Sequence, residues 1–268
     1  MDQIEAAVIS NNRFFADSVH PNRRIAATRL MWLECPKIAT EARPGQFVMV
    51  RCADLPLPRP FSIHQSRQDS IAILYSVFAE GKGTAWLGER REDDKLTLLG
   101  PLGNGFSLDR PHPGLLLVAG GIGLAPLYFL AQLAAGRGLD VTMLLGAQTG
   151  SLIYPRHLLP PGVAVFTATD DGSAGHHGPV TDLICEHSVE SGQVFACGPV
   201  AMYRDMASRK KEFGLDGKSI QLSLEAVMAC GHGACYGCTI RTTRGLRQVC
   251  RDGPVFDLDD MVWDDTRI

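Results

Sequence analysis

Four cysteines near the end of the chain are the residues whose types and spacing best fit a chemical role. Cys230, Cys235, Cys238 and Cys250 follow the order C-x4-C-x2-C-x11-C. Four thiolates at this spacing are a ligand set for a [2Fe-2S] cluster. Glycines fill the tight part of the loop, and glycine lets a backbone wrap closely around the sulfides. The motif therefore predicts a centre that carries electrons one at a time.

The competing interpretation of these cysteines is a structural zinc site. Such sites commonly pair two C-x2-C units, whereas this chain has a single C-x2-C flanked by a C-x4 arm. The spacing favours an iron-sulfur cluster and leaves zinc as the alternative. Cys35, Cys52 and Cys185 lack such spacing, and we expect them to be ordinary buried thiols.

A second set of residues places a fixed positive charge close to a hydroxyl. The run RPFSI at 59–63 stands just after a predicted strand. The Arg59 guanidinium suits a pyrophosphate, and the Ser62 hydroxyl suits the edge of a flavin ring. Taken alone, a plain strand with one surface arginine explains these residues equally well.

Two glycine-containing runs are candidates for phosphate binding. GKGT at 81–84 leads into a short helix predicted at 84–87, whose first N–H groups suit a phosphate. GGIGLAP at 120–126 lies between the strand LLLVA and a helix expected to start near Pro126. The second run presents backbone donors to a dinucleotide, although it is not the G-x-G-x-x-G fingerprint. Either run could instead be a structural turn.

Two further positions follow apolar strands, at the edge of an α/β sheet where ligands bind. Cys197, Gly198 and Pro199 come directly after the strand QVFA. Asp170 closes the strand VAVFTAT and could contact a ribose. The alternatives are a small buried residue at Cys197 and an ordinary turn at Asp170.

The predicted secondary structure that must position these residues changes along the chain. Residues 1 to about 110 hold short β-like runs between Pro/Gly turns, which indicates an antiparallel barrel or sandwich. From 111 to 217, strands alternate with helices, which predicts a doubly wound parallel α/β sheet. Residues 218–268 are too few for a core of their own, so we expect the cluster to stabilise them.

Composition excludes several classes of protein. A net charge of -3 without a basic run argues against a nucleic-acid partner. The first residues lack the apolar core of a secretory signal, so we expect a cytoplasmic protein whose eight cysteines serve metal or redox chemistry. Residues 114–136 carry no charge, but glycines and Pro126 interrupt them, which predicts a strand, a turn and a helix and no membrane span.

Taken together, RPFS, GKGT, GGIGLAP, CGP and the cysteine motif occur in an order that resembles the ferredoxin-reductase superfamily. Within it, SLE at 223–225, CGHGACYGC at 230–238 and VCRDGPVF at 249–256 are similar to the electron-transfer subunits of NAD-dependent (type B) dihydroorotate dehydrogenase. Residues 169–184 resemble that family too. The likeness covers essentially the whole chain.

This resemblance implies a multidomain α+β fold with an FAD-binding β-barrel at 1–110, an NAD-binding α/β domain at 111–217 and a [2Fe-2S] segment at 218–268. It implies catalytic roles for Ser62 and Cys197. The expected cofactor-binding residues are Arg59, Pro60, Phe61, Ser62, Leu74, Tyr75, Ser76, Lys82, Gly83, Thr84, Gly120, Gly121, Gly123, Asp170, Cys197, Gly198 and Pro199.

The resemblance also implies a partner, an FMN-containing dihydroorotate dehydrogenase catalytic subunit, in a heterotetramer with two copies of each chain and a role in pyrimidine biosynthesis. NAD is favoured over NADP because Arg156 is the only arginine near the second sheet strand. Many members of this family have a basic residue at the position that Ser76 occupies here. The loop of eleven residues between Cys238 and Cys250 is also short for the family. The rival hypotheses are a reductase subunit of a hydrogenase, sulfide dehydrogenase or transhydrogenase complex and a zinc-stabilised binding module.

Overall fold

The computed structural model describes residues 3–20, 23–108 and 114–263. The expected boundary between the first two domains, at 110 and 111, lies outside these residues. No helix in the described part of the chain is long and apolar enough to cross a membrane. The uncharged run at 114–136 instead forms a strand, a short 3-10 turn and a helix, as its glycines predict.

The first part of the chain closes into a six-stranded antiparallel barrel in the order β1-β2-β5-β4-β3-β6. Its strands are β1 (Ile4–His20), β2 (Arg23–Glu34), β3 (Phe47–Val50), β4 (Arg59–Arg67), β5 (Ser70–Phe78) and β6 (Lys95–Leu102). Two short helices, α1 (Pro36–Glu41) and α2 (Lys82–Gly88), connect them. The expected barrel is confirmed, but the run at 59–63 opens β4 itself and does not follow a strand.

The second part is a seven-stranded sheet in the order β10-β9-β8-β7-β11-β12-β15. Its strands are β7 (Gly114–Gly120), β8 (Asp140–Ala147), β9 (Val163–Thr169), β10 (His176–His177), β11 (Gln193–Cys197), β12 (Ser219–Ser223) and the antiparallel β15 (Val255–Asp257). The helices are α3 (Leu124–Gly136), α4 (Ile184–Ser188) and α5 (Val200–Ser208). Since strand order reverses between β7 and β11, the crevice at their carboxyl ends is the favoured ligand position.

Three details of this part differ from the sequence expectations. Helix α3 begins at Leu124, two residues before the expected start, because the 3-10 turn Gly121–Gly123 runs directly into it. The sequence predicts a helix over the run VAMYRDMASRKKEF at 200–213, whereas α5 ends at Ser208 and a turn follows. Cys185, expected to be buried, is exposed on α4.

The cysteine-rich part contains the hairpin β13 (Thr239–Thr242) and β14 (Gly245–Gln248), followed by α6 (Val249–Asp252). The strands β12 and β15, which flank it, extend the large sheet. Asn104, after the barrel, donates from its backbone N–H to the Gly253 carbonyl at 2.7 Å and from its side chain to the Val255 carbonyl at 2.8 Å. The segment therefore bonds to both other parts of the chain.

A buried histidine lies where the barrel meets the α/β domain. His64, on β4, is 0% exposed, with Nδ1 3.0 Å from the Ala125 carbonyl oxygen and Nε2 3.4 Å from the Tyr154 hydroxyl. Because a carbonyl can only accept, we assign the proton to Nδ1, and Nε2 accepts from Tyr154. Burial lowers the pKa of His64 to about 4, although the bond to Ala125 opposes the shift. The ring is therefore neutral at pH 7.

The neutral His64 makes folding stability depend on pH. Its pKa rises to about 6.5 on unfolding, so the unfolded chain binds more protons and stability falls as the pH drops from 6.5 towards 4. The neighbouring Tyr128 and Tyr154 stay neutral, since burial raises their pKa. Between pH 7.5 and 5 we expect the wild type to lose about 2 kcal/mol more unfolding free energy than His64→Phe in urea denaturation. Equal losses would contradict this assignment.

Candidate functional site

The cysteine loop directs backbone donors at its own sulfur atoms. The Gly233 N–H lies 3.2 Å from Cys250 Sγ, and the Gly237 N–H lies 3.4 Å from Cys235 Sγ. The Cys250 N–H lies 3.4 Å from Cys238 Sγ. Donors aimed at sulfur favour the thiolate over the thiol, and the thiolate is the form that binds iron.

Electrostatics at Cys230 favour its metal-binding form. Partial burial raises the pKa of this thiol, but backbone N–H groups of His232, Cys235 and Ala234 outweigh burial and bring the pKa to about 6. The loop therefore favours the thiolate form of Cys230. By contrast, burial and the neighbouring Cys238 raise the pKa of Cys250 to about 12, so a bound metal must displace that proton.

The four cysteines are arranged as two pairs. The Cys235 side chain lowers the pKa of Cys230, and the Cys238 side chain raises the pKa of Cys250, so each thiol interacts with one neighbour in the loop. Two pairs of thiolates suit two irons, whereas a single zinc needs four ligands around one point. The donor set thus fits a [2Fe-2S] cluster better than zinc.

Close packing explains two of the loop glycines. Gly231 has a φ of 76°, and a Cβ there would lie 2.5 Å from Met49 Cγ on β3. Gly233 has a φ of 88°, and its Cβ would lie 2.8 Å from Arg251 Cδ. A larger residue at either position would strain the backbone, and one at Gly231 would also push the loop off the barrel.

The structure brings together the two barrel motifs expected to bind a flavin. A Cβ on Gly83 would lie 3.2 Å from Arg59 Nε, so the guanidinium of β4 rests against the first turn of α2. Lys82 begins that turn. Helix α2 has only seven residues, so we assign most of the attraction for a pyrophosphate to the charges of Arg59 and Lys82.

The remaining barrel residues divide into exposed and buried groups. Residues 59–62 of β4 and Ser76 of β5 are half-buried, so their side chains remain accessible to a cofactor. Leu74 and Tyr75 are buried, so only their backbone could face a cofactor. Thr84 uses its hydroxyl within the turn, where it accepts from the Phe78 N–H at 3.2 Å. Ser62 belongs to the half-buried group, so its hydroxyl remains a candidate contact for a flavin ring.

The two motifs expected to bind a dinucleotide also meet, at the carboxyl ends of β7 and β11. A Cβ on Gly123 would lie 1.9 Å from the Cys197 carbonyl oxygen, and one on Gly120 would lie 2.7 Å from Pro199 Cδ. Gly121, with a φ of 57°, has no neighbouring atom within 4 Å of such a Cβ. The glycines therefore serve close packing at two positions and an open turn at the third. Asp170 is exposed at the end of β9, two strands from β7 and thus roughly 10 Å away.

Cys197 is almost fully buried, and burial raises the pKa of its thiol well above 9. It is therefore a neutral thiol and not a nucleophile. Tyr203 of α5 fixes the adjacent loop, because its hydroxyl accepts from the Gly198 N–H at 2.9 Å and donates to the Ser223 carbonyl at 2.7 Å. Glu225 is exposed nearby, and the surrounding protein raises the pKa of its carboxyl group.

One strand separates the cluster loop from the expected flavin site. Gly231 packs against Met49 of β3, and Met49 pairs with Pro60 of β4. Neighbouring strands lie about 4.8 Å apart, so the cluster loop and the Arg59 strand are close. His64, Tyr203 and Glu225 were not among the predicted site residues. The run SLE at 223–225 was a signal for Glu225, whereas the partners of His64 and Tyr203 lie too far along the chain for a local pattern.

Comparison with known proteins agrees with this geometry. Residues 225–262 match the family described as the iron-sulfur cluster binding domain of dihydroorotate dehydrogenase B. The dihydroorotate dehydrogenase B (NAD(+)) electron transfer subunit of Bacillus caldolyticus is 40% identical over 230 residues, which cover 82% of this chain and 87% of that protein. The subunit of the same name from Desulforamulus reducens is 37% identical and covers 88% and 93%.

Solved structures show the same fold. A chain from the NADH-dependent reduced ferredoxin-NADP oxidoreductase, studied for flavin-based electron bifurcation, superposes with a TM-score of 0.83 at 28% identity and covers 96% of this chain and 90% of its own. The ferredoxin reductase of carbazole 1,9a-dioxygenase, at 20% identity, shares the fold with a TM-score of 0.65 over 80% and 66% of the two chains. On these relatives and on the cysteine site, the chain belongs to the family of electron transfer subunits of dihydroorotate dehydrogenase B (NAD(+)).

Proposed function

We propose that this chain passes electrons between the FMN of a dihydroorotate dehydrogenase catalytic subunit and NAD+, by way of a [2Fe-2S] cluster and FAD, in pyrimidine biosynthesis. Nicotinamide exchanges hydride, the cluster exchanges single electrons, and a flavin does both. FAD is therefore the required converter. We further propose a heterotetramer of two copies of each subunit in the cytoplasm, and we divide this chain into an FAD barrel at 1–110, an NAD domain at 111–217 and a cluster segment at 218–268.

The observation that carries the proposal is the adjacency of the three binding regions. The cluster loop packs on β3 through Gly231 and Met49, and β3 pairs with the Arg59 strand. The same strand, β4, bonds to α3 through His64 and Ala125. Electrons thus have a short protein path from the cysteines through the barrel wall to the dinucleotide loop.

The residues of this chain bind and orient the redox groups. Arg59 and Lys82 neutralise the pyrophosphate of FAD, and the Ser62 hydroxyl bonds the ring edge. Gly121 and its neighbours present backbone N–H groups to the dinucleotide, and Cys197 closes the crevice as a neutral thiol. Among the described residues we assign none to orotate chemistry, and we place the oxidation of dihydroorotate on the partner.

The rival assignment that a specific observation favours is a reductase subunit of a bifurcating oxidoreductase. The solved chain with a TM-score of 0.83 belongs to such a protein. Its identity of 28% is nevertheless lower than the 37% and 40% of the named dihydroorotate dehydrogenase B relatives. The shared fold explains the superposition, and the higher identity favours the dihydroorotate dehydrogenase partner.

The surface around the cysteines suits a protein partner. Tyr236, between two ligands, is 69% exposed and has a φ of 61°, an uncommon backbone conformation for a bulky residue. Val227 and Leu246 are 87% and 71% exposed. Exposed apolar side chains grouped in one segment are typical of interaction sites. We therefore propose that the catalytic subunit docks over Tyr236.

The first prediction tests the function itself. Purified protein should show flavin and [2Fe-2S] absorption, both should bleach when NADH is added without oxygen, and the chain alone should not oxidise dihydroorotate. Adding the FMN-containing catalytic subunit should give NAD+-linked oxidation of dihydroorotate. A colourless zinc protein, or dihydroorotate oxidation without a partner, would contradict the proposal.

A second prediction separates the cluster from the flavin. Cys250→Ala removes a buried ligand, so [2Fe-2S] absorption should disappear while NADH still reduces FAD. Dihydroorotate:NAD+ activity with the partner should fall by more than about 100-fold. Loss of a residue that only hydrogen-bonds a metal ligand costs roughly 10- to 100-fold in activity, and loss of the ligand itself should cost more. Cys185→Ala, at an exposed thiol outside the motif, is the control and should leave both properties unchanged. Retention of the cluster in Cys250→Ala would show that this residue is not a ligand.

A third prediction concerns the docking surface. Tyr236→Asn keeps a residue that tolerates positive φ but removes the ring, so Kd for the catalytic subunit should rise by about tenfold or more, as at an aromatic hot spot. Calorimetric titration measures it, and the rate of flavin reduction by NADH should not change. Val189→Ala, at another exposed apolar residue outside the cluster segment, is the control. An unchanged Kd for Tyr236→Asn would place the interface elsewhere.

A further inference from the structure

His64 joins two regions of the molecule. One is the barrel strand β4, which the proposed function assigns to flavin, and the other is the start of α3, beside the loop that it assigns to nicotinamide. It stands two residues after Ser62 on β4, and its Nδ1–H donates to the carbonyl of Ala125, two residues after Gly123. The bond at 3.0 Å therefore spans from the barrel strand to the first turn of α3. Among the described residues it is a fully buried polar contact between these two elements.

Aromatic rings hold the histidine in one orientation. The His64 ring lies 4.4 Å from the Tyr128 ring and 5.9 Å from the Tyr154 ring, centroid to centroid. Tyr154 also stacks on Phe14 of β1 at 5.5 Å. Tyr128 is anchored in turn, since its hydroxyl donates to the Leu158 carbonyl at 2.9 Å. The imidazole therefore cannot swing away from Ala125 without disturbing both domains.

The Ala125 carbonyl does not need His64 as its hydrogen-bond donor. Ala125 lies inside α3, where the carbonyl of residue i accepts from the N–H of residue i+4. An apolar ring at position 64 would pack among Tyr128 and Tyr154 without the desolvation that a buried imidazole requires. A hydrogen bond has a preferred length and angle, which an apolar contact lacks. The bond from His64 therefore fixes how far β4 lies from the start of α3.

We propose that His64 is a positioning residue for hydride transfer between nicotinamide and flavin, an inference that rests on the proposed function. The transfer breaks the C4–H bond of NADH and forms an N5–H bond on FAD, so two electrons move with one proton and solvent supplies the second proton. The reacting atoms must approach to about 3 to 3.5 Å, and an error of about 1 Å can cost 100-fold. His64 sets this approach through the separation of Ser62 and Gly123.

Two polar replacements distinguish positioning from packing. The amide of His64→Asn stands at the level of Nδ1 and can still donate to Ala125, whereas that of His64→Gln reaches the level of Nε2, beside Tyr154. Each holoprotein is mixed with saturating NADH in an anaerobic stopped-flow instrument. We expect flavin reduction to slow by about tenfold or more in His64→Gln and by less than about threefold in His64→Asn. Amide hydrogen exchange at 124, 125 and 127–129, a readout independent of activity, should rise in His64→Gln alone.

These measurements distinguish failure of the positioning role of His64 from failure of the proposed function. Equal rates and equal exchange in the two variants would overturn the proposal, and so would equal loss of FAD from both, since His64 would then be structural only. Kd for NADH should stay unchanged in His64→Gln, because the change affects the approach and not the binding. If NADH fails to reduce the flavin of the wild type, the proposed function fails. If the wild type is reduced and His64→Gln is as fast, the positioning role alone fails.

Discussion

The barrel and the α/β sheet share their hydrophobic cores, and this sharing fixes the position of the proposed flavin region relative to the proposed nicotinamide region. Phe129 of α3 packs with Ile63 and Tyr75 inside the barrel core, while Leu30 and Leu74 of the barrel wall pack in the core beneath α3. Each such side chain contributes roughly 1.5 to 3 kcal/mol when buried. Separating the two parts would expose all of these side chains together, so they keep one relative position.

The cysteine segment is joined to the rest of the molecule by the same means. Phe47 and Met49 of the barrel share a core with Cys238 and Cys250, two of the predicted cluster ligands. These cysteines are therefore placed by packing as well as by any metal they hold. Cys235, by contrast, is exposed, so the site has one side in the core and one side open to solvent. The buried side faces the barrel, and the open side carries Tyr236.

Local patterns in the sequence predicted the parts of the structure that local geometry decides. Cysteine spacing, apolar strands and glycine turns depend on neighbours within a few residues, and the barrel, the doubly wound sheet and the family were confirmed from them. Contacts across the chain were not accessible in this way. His64 and Ala125 are 61 residues apart, and β15 joins β12 after the whole cysteine loop. Their positions follow from tertiary packing, for which one sequence shows no period.

The two kinds of electron transfer place different demands on the fold, and the structure meets each in a different region. Hydride transfer needs the reacting atoms aligned at contact distance, and the buried rings and the bond from His64 to Ala125 hold the barrel against α3. Exchange of single electrons forms no bond between donor and acceptor, so the outer side of the cysteine loop can remain exposed until a partner covers it. Rigidity between the domains and exposure at Tyr236 are thus consequences of the same division of chemistry.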